Sequence, residues 1–350
     1  MARVRINLCD ALLAEGYEVD LVVANGVGEL RDSVPEGVNL IDLKASRLIM
    51  ALPGFYRYIR ERRPAAIISA QDHVNVVALL ARKLARSDVP ISVSVHNLHT
   101  IEANRAWYRR GSWMKYFIRF TYPWATVRVS VSSGLGDVMS ETTGLPRDTI
   151  TTIFNPIVTP RMLENAGAPS PHPWFEDDGA PVILGVGRMT HQKDFSNLIH
   201  AVRQVRQTRD VRLMILGSGF LEDDLKSLVA ELGMQDVVAM PGYVDNPFAY
   251  MSRADLYVLS SVHEGLPGTL IQAMACGCPV VSTDCPHGPR EILDAGAYGS
   301  LVPIKDSEAL AGAIIEALHA PKATPDQLRQ RAMQFEASEI LLQYRAHLGF

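Results

Sequence analysis

At 350 residues, with 47% hydrophobic and 21% charged side chains and no low-complexity tract, the chain is too long for one ordinary core and too apolar for a disordered protein. Two domains are expected, at roughly 100 to 200 residues each. The net charge of −4 hides an asymmetry: 20 basic and 16 acidic residues lie up to and including Phe175, against 14 and 22 beyond it, so the first half is the one suited to an anionic surface.

Four cysteines without CxxC or His-rich spacing read as small buried thiols rather than metal ligands. No segment has the apolar length of a transmembrane helix, and Met1 to Asp10 lacks the apolar core of a signal peptide, so the cytoplasm is the expected compartment.

Residues 2–14 read as a helix stopped at Gly16. Short β-branched runs then alternate with amphipathic segments: VDLVVA from Val19, VNLIDL, AAIISA, ISVSV, TVRVSV and TITTIF. This is βαβ alternation, which predicts a parallel sheet. An opening strand with a phosphate-binding turn is not found ahead of the first helix, and a sheet without it is expected to leave ladder groups exposed. Six prolines between Asn155 and Pro181 mark a break. Beyond it PVILGVG, VRLMILG, VVAMPG, ADLYVLS, PVVST and SLVPI predict a second parallel sheet, with helices beginning near Asp194, Phe220, Leu266, Gly288 and Asp306. The expected division is an N-terminal domain over 1–160, a linker over 161–180, a C-terminal domain over 181–324 and a helical segment over 325–350. That last segment carries an apolar stripe of Leu328, Ala332, Phe335, Ile340, Leu341 and Tyr344 and is expected to pack back across the domains.

Candidate chemistry concentrates between Leu256 and Glu291. Gly265, Leu266, Pro267, Gly268 and Thr269 lie where a strand gives way to a helix, with Pro267 suited to the first helical position and the glycines permitting close backbone approach. The unpaired amides and positive dipole end of such a helix suit a diphosphate. A glycine-eased turn of an ordinary α/β protein is the plain alternative. Arg188 and Lys193 follow the strand that ends at Gly185 and Gly187, at the strand end where ligands bind in such sheets, and could offset charge on a departing nucleotide. Gly217 and Gly219 repeat the pattern after the next strand.

These segments, GVGRMTHQKDFSNLIHA, LMILGSG, MPGYVDN and HEGLPGTLIQAMACGCPVVSTDCPHGPREIL, resemble the retaining glycosyltransferases of family 4, over roughly Val182 to Val302. The first half is similar more loosely, through SVHNLHT at His96, VSSGLGDVM, and Asn155-Pro156. The resemblance implies the GT-B architecture, an α/β fold of two facing Rossmann-like doubly wound domains with a cleft between them and a C-terminal helix crossing back. It implies transfer from a nucleotide-diphosphate sugar, by family habit a UDP-sugar, with retained anomeric configuration and neither a cofactor nor a DxD-bound metal; the chain contains no DxD. Arg188 and Lys193 correspond to a diphosphate clamp, Glu264 to an acid on the donor sugar, His96 to a histidine near that sugar, and the backbone of Gly242, Tyr243 and Val244 to a border of the base. Gln272 stands where the family has a glutamate on the ribose hydroxyls, which exchanges a charge-assisted bond for a neutral one of about half the strength.

Between Asn104 and Val131 six basic residues (Arg105, Arg109, Arg110, Lys115, Arg119, Arg128) and no acidic one are interleaved with eight aromatic residues. Rings at headgroup depth and cations on anionic lipid fit a membrane-surface patch, and a lipid-linked or glycan acceptor at the inner face of a bacterial membrane. An ordinary helix with inward aromatics is the alternative. Nucleic acid is not an expected partner. A noncatalytic nucleotide-sugar binder is the rival to the transferase, whereas an epimerase or phosphorylase would need acid/base residues or a phosphate site not found here.

Overall fold

The computed structural model describes residues 2–26, 34–96, 113–169, 172–176 and 179–350, without the side chains of residues 2 and 113–115. Two compact units result: Met1–Pro156 with Ala337–Phe350, and Ile157–Glu336.

The first unit runs α1 (Ala2–Ala14), β1 (Val19–Val23), β2 (Val38–Asp42), α2 (Leu52–Arg62), β3 (Ile67–Ala70), α3 (Asp72–Leu84), β4 (Ile91–Val95), α4 (Trp113–Thr121), β5 (Val127–Ser130), α5 (Ser133–Thr143) and β6 (Ile150–Thr152). Among the described residues its strands form two parallel sheets, the pair β1-β2 and the four-stranded β3-β4-β5-β6. All five residues of β4 are buried, as expected of a central strand covered on both faces. In register with Val127 and Val129 of β5 stand Ser92 and Ser94, so a row of hydroxyls interrupts that otherwise apolar face.

The second unit runs α6 (Pro160–Ala166), β7 (Val182–Val186), α7 (Phe195–Val205), β8 (Arg212–Leu216), α8 (Glu222–Glu231), β9 (Val238–Gly242), α9 (Phe248–Met251), β10 (Leu256–Leu259), α10 (Gly268–Ala275), β11 (Val280–Thr283), α11 (Pro289–Ile292), β12 (Ser300–Val302), α12 (Ser307–His319) and α13 (Pro325–Ala332). Its six strands are parallel in the order β12-β11-β10-β7-β8-β9. Ile183, Leu213, Ile215, Leu256 and Val258 pack with Leu198, Val202, Leu310 and Ile314 of α7 and α12 in one core. Because β7 pairs with β8 on one side and β10 on the other, the connections leaving β7 and β10 diverge and open a crevice at their carboxyl ends.

The expected boundaries shift in two places. Residues 160–166 are helical and belong to the second unit, since Thr159 caps α6 through the Met162 amide, and Asn246 Nδ2 and Arg253 Nη2 donate to the carbonyls of Asn165 and Ala168. The segment 325–350 is divided: a capping box of Thr324 and Gln327 starts α13 in the second unit, whereas α14 (Ala337–Leu348) joins the first. There Ile340, Leu341, Tyr344 and Leu348 pack with Leu8 of α1, Val127, Val129 and Ile153.

Candidate active site

The connections leaving β7, β8 and β9 at their carboxyl ends are tied by backbone hydrogen bonds. The amide of Gly187 donates to Leu216 O (2.9 Å), that of Met189 to Ser218 O (2.9 Å), and that of Gly217 to Gly242 O (2.8 Å). This approach requires glycine. A Cβ on Gly217 would lie 2.0 Å from Gly187 O, and one on Gly219 would lie 2.3 Å from Met189 O.

The crevice between β7 and β10 closes in the same manner. Val262 N donates to Gln192 O (2.9 Å), Gln192 Nε2 to His263 O (3.0 Å), and Ser260 Oγ to Lys193 O (2.7 Å). These bonds bring two sequence-predicted residues together: Lys193 Nζ lies 2.6 Å from Glu264 Oε1. The same oxygen accepts from Ser261 Oγ at 2.7 Å, and Glu264 is buried. A carboxylate so enclosed is held by a charge-assisted pair and a hydroxyl, and the ammonium retains donor capacity beyond Glu264.

The turn from Gly265 to Thr269 begins α10, but Pro267 occupies the N-cap and Gly268 is the first helical residue. Pro267 has an extended ψ of 95°, so the helix starts one residue later than a proline at the first helical position would imply. The first amides of α10 have no intrahelical acceptor, and Tyr257 Oη in the core binds Thr269 Oγ1 at 2.7 Å, fixing this end of the helix. Leu266 is buried. Gln272 is half-buried one turn further along.

Arg188 is exposed and carries no ion pair among the described residues. Tyr243 is exposed and Val244 half-buried beside Gly242, whose φ of 86° suits glycine. His96 belongs to the first unit, at the end of β4, with Nε2 2.8 Å from Ser94 Oγ and 3.0 Å from Arg5 Nη2. Burial, and then Arg5, push its pKa well below the usual imidazole range. Asn97 lies outside the described residues.

Several residues of this arrangement carry no signal in the sequence. Ser261, Gln192 and Tyr257 act through partners brought close by the fold, and their residue types occur throughout ordinary loops and strands. The glycine at 288 keeps α10 in place, as its Cβ would lie 2.5 Å from Pro267 Cδ.

Of the sequence-predicted surface patch, residues 97–112 lie outside the described residues. Tyr122 and Arg128 are structural: Tyr122 is buried and donates to Asp72 Oδ1 (3.0 Å), and Arg128 donates to the carbonyls of Thr149 and Tyr122. Tyr116, Phe117 and Phe120 are exposed on α4. No helix among the described residues is long and apolar enough to cross a membrane.

Residues 1–161 match the family model described as Glycosyltransferase Family 4, and residues 170–335 that described as Glycosyl transferases group 1. The N-acetylgalactosamine-N,N'-diacetylbacillosaminyl-diphospho-undecaprenol 4-alpha-N-acetylgalactosaminyltransferase of Campylobacter jejuni is 29% identical over 231 residues, 65% of this chain and 60% of that protein. The lipopolysaccharide core biosynthesis glycosyltransferase LpsE of Rhizobium meliloti is 36% identical over 135 residues, 39% of this chain and 38% of its own length. The chain thus spans less than two thirds of either relative. Among solved structures, the apo form of the lipopolysaccharide outer core galactosyltransferase WaaB superposes with a TM-score of 0.76 at 19% identity, covering 99% of this chain and 94% of that one. Anabaena HepE in complex with UDP gives 0.76 at 19% identity over 98% and 96%. These likenesses show a shared GT-B fold. With both halves matched in order, the chain belongs to the glycosyltransferases that combine a family 4 N-terminal domain with a group 1 C-terminal domain.

Proposed function

We propose that the chain transfers a hexose or N-acetylhexosamine from a nucleotide-diphosphate sugar, a UDP-sugar in the first instance, to a glycan or lipid-linked acceptor of a surface polysaccharide, with retention of configuration and without a metal. The observation that carries this reading is the Lys193–Glu264 pair, set in the crevice of the second unit beside the glycine-dependent turns and the start of α10. In this reading Lys193 and Arg188 meet the diphosphate and the first amides of α10 add donors to it. The bond from the anomeric carbon to the diphosphate oxygen breaks while the acceptor oxygen bonds to the same face of that carbon, and the acceptor proton passes to the departing phosphate. Fixed cations then stabilise charge that develops only as the bond breaks. Glu264 holds Lys193 and faces the sugar.

The relatives named above act in lipopolysaccharide core biosynthesis or on an undecaprenol-linked substrate, and the acceptor is proposed by analogy with them. Peripheral contact with an anionic membrane through residues 104–131 belongs to the same proposal. Its support is the exposed Tyr116, Phe117 and Phe120 with Arg119 on α4.

The test incubates the purified chain with UDP-GlcNAc, UDP-glucose, UDP-galactose and GDP-mannose, with and without membrane-extracted acceptors, alongside Arg188→Ala, Lys193→Ala and Glu264→Ala. Nucleotide release from one donor that falls at least about tenfold in each variant supports the transferase. Binding without turnover under every condition favours the noncatalytic binder, a reading to which Gln272 lends weight. Cosedimentation with anionic but not neutral vesicles tests the membrane contact.

A further inference from the structure

The second unit holds a cavity of about 700 Å³ that is lined by none of Arg188, Lys193, Glu264, Gln272 or residues 265–269. Its wall comes from the starts of α7 and α12 and from the connections leaving β7 and β10, and the volume suits a small organic ligand rather than a lone ion. His191, His200, Lys305 and Ser307 bring nitrogen and hydroxyl donors to that wall, with Asp194 as the one carboxylate among the described lining residues. Beyond Phe175 the chain carries 14 basic against 22 acidic residues, so this cluster runs against the charge of its own half.

The three nitrogen side chains converge. Burial raises the Asp194 carboxyl pKa, a hydrogen bond from the Asn197 amide lowers it, and Lys305, His191 and His200 lower it further through their charge, so all three lie within electrostatic reach of one carboxylate. None of them forms an ion pair with it among the described residues. Asp194 instead caps α7, its Oδ1 accepting from the Asn197 amide at 3.4 Å, and Asp306 is likewise turned to its own helix, accepting from the Ala309 amide at 2.9 Å. Ser307 Oγ accepts from Gln204 Nε2 at 3.0 Å, which leaves the hydroxyl proton to donate elsewhere. Lys305 has a φ of 58°, in the left-handed region that costs a lysine roughly 1 kcal/mol or more. Exposed and without an ion pair among the described residues, its side chain gains nothing within the chain to offset that strain.

We propose that this cavity binds the phosphate monoester of a small hydroxylated molecule, a sugar phosphate, with Lys305, His191, His200 and Ser307 serving the phosphate and Asp194 a hydroxyl. A phosphate monoester offers three strong acceptor oxygens and up to two negative charges, a better match to four convergent donors than a carboxylate with two oxygens and one charge. Asp194 retains acceptor capacity beyond the cap, which a hydroxyl of the organic part can meet and a bare phosphate cannot. The site is separate from the proposed diphosphate clamp and does not depend on the transferase reading.

The experiment titrates the full chain with ribose 5-phosphate, inorganic phosphate and ribose by calorimetry, with and without saturating UDP. Ribose 5-phosphate should bind with a Kd of about 1 mM or below, phosphate more weakly and ribose not measurably. Lys305→Gly removes the charge and relieves the left-handed strain, so it should melt no lower than the wild type and still bind ribose 5-phosphate about tenfold more weakly. His200→Gln is the second variant and should weaken it severalfold. Lys193→Ala and Lys226→Ala should leave this affinity unchanged, and so should UDP. Displacement by UDP, or loss in Lys193→Ala, would place the ligand on the diphosphate clamp and overturn the proposal; so would an equal loss in Lys226→Ala, or no binding at about 10 mM. Because binding is read without turnover, a chain inactive with every nucleotide sugar that still takes ribose 5-phosphate through Lys305 would defeat the transferase reading and leave this site standing.

Discussion

Lys193 Nζ and Glu264 Oε1 lie 2.6 Å apart across 71 residues of chain, at the ends of two adjacent strands. Their side chains retain 16% and 9% exposure, which places the pair between a solvated surface contact and a fully buried one. Glu264→Gln keeps an acceptor for Ser261 and removes the charge facing Lys193. It should cost about 2 kcal/mol of stability, below the ~3–5 kcal/mol typical when one partner of a fully buried pair is lost. It should also lower kcat at least about a hundredfold. Chemical denaturation and donor turnover on the same preparation check both. Unchanged turnover would reduce the pair to scaffolding.

The turn after β8 makes a second expectation. Gly219→Ala drives a Cβ toward the backbone carbonyl of Met189, which cannot rotate away, so the two connections must separate. A loss of about 2 kcal/mol or more and roughly tenfold weaker UDP binding should follow. Gly233→Ala is the control. Its Cβ meets nothing within 4 Å, and only its φ of 65° opposes substitution, at about 1 kcal/mol. Equal effects on UDP affinity in the two variants would show that close approach of the turns is immaterial to binding.

Gln272 permits a gain-of-function test. Half-buried on α10, it presents a neutral amide where a carboxylate would form stronger bonds to two hydroxyls. Gln272→Glu should tighten UDP about five- to tenfold by calorimetry and leave inorganic pyrophosphate unaffected, because pyrophosphate has no ribose. Equal tightening of both ligands would contradict a role at the ribose.

Asp72 offers a pH-dependent stability test away from the site. It is buried at the start of α3 and accepts from Tyr122 Oη at 3.0 Å, and burial raises its carboxyl pKa above the ordinary value. A raised folded pKa means that its contribution is fully present below the unfolded pKa of about 3.9 and is lost as pH rises through the folded value. Asp72→Asn retains the acceptor without the charge. Its stability relative to wild type should therefore improve as pH rises from about 4 toward about 7, which urea denaturation across that range measures. A relative stability that worsens over the same interval would show that the ionised carboxylate is favoured in the folded chain.

Much of the architecture was legible in local pattern. Each of the twelve β-branched runs contains one strand, because alternation with helices and the burial of parallel strands on both faces leave a period visible in a few neighbouring residues. Gly217, Gly219 and the turn before α10 were also legible, since backbone contact tolerates so few side chains. Arg188, Lys193 and Glu264 could be singled out by charge and strand-end position, but their different fates could not: Lys193 and Glu264 pair while Arg188 remains exposed. That outcome depends on strand order, which sets β7 beside β10 although β8 and β9 intervene between them along the chain. Ser261, Arg5 and Ser94 were not legible for the same reason. A serine or arginine has the same local propensities wherever it lies, and only the packing of α1 against β4, or of one connection against another, determines which polar atoms come within hydrogen-bonding distance of each other.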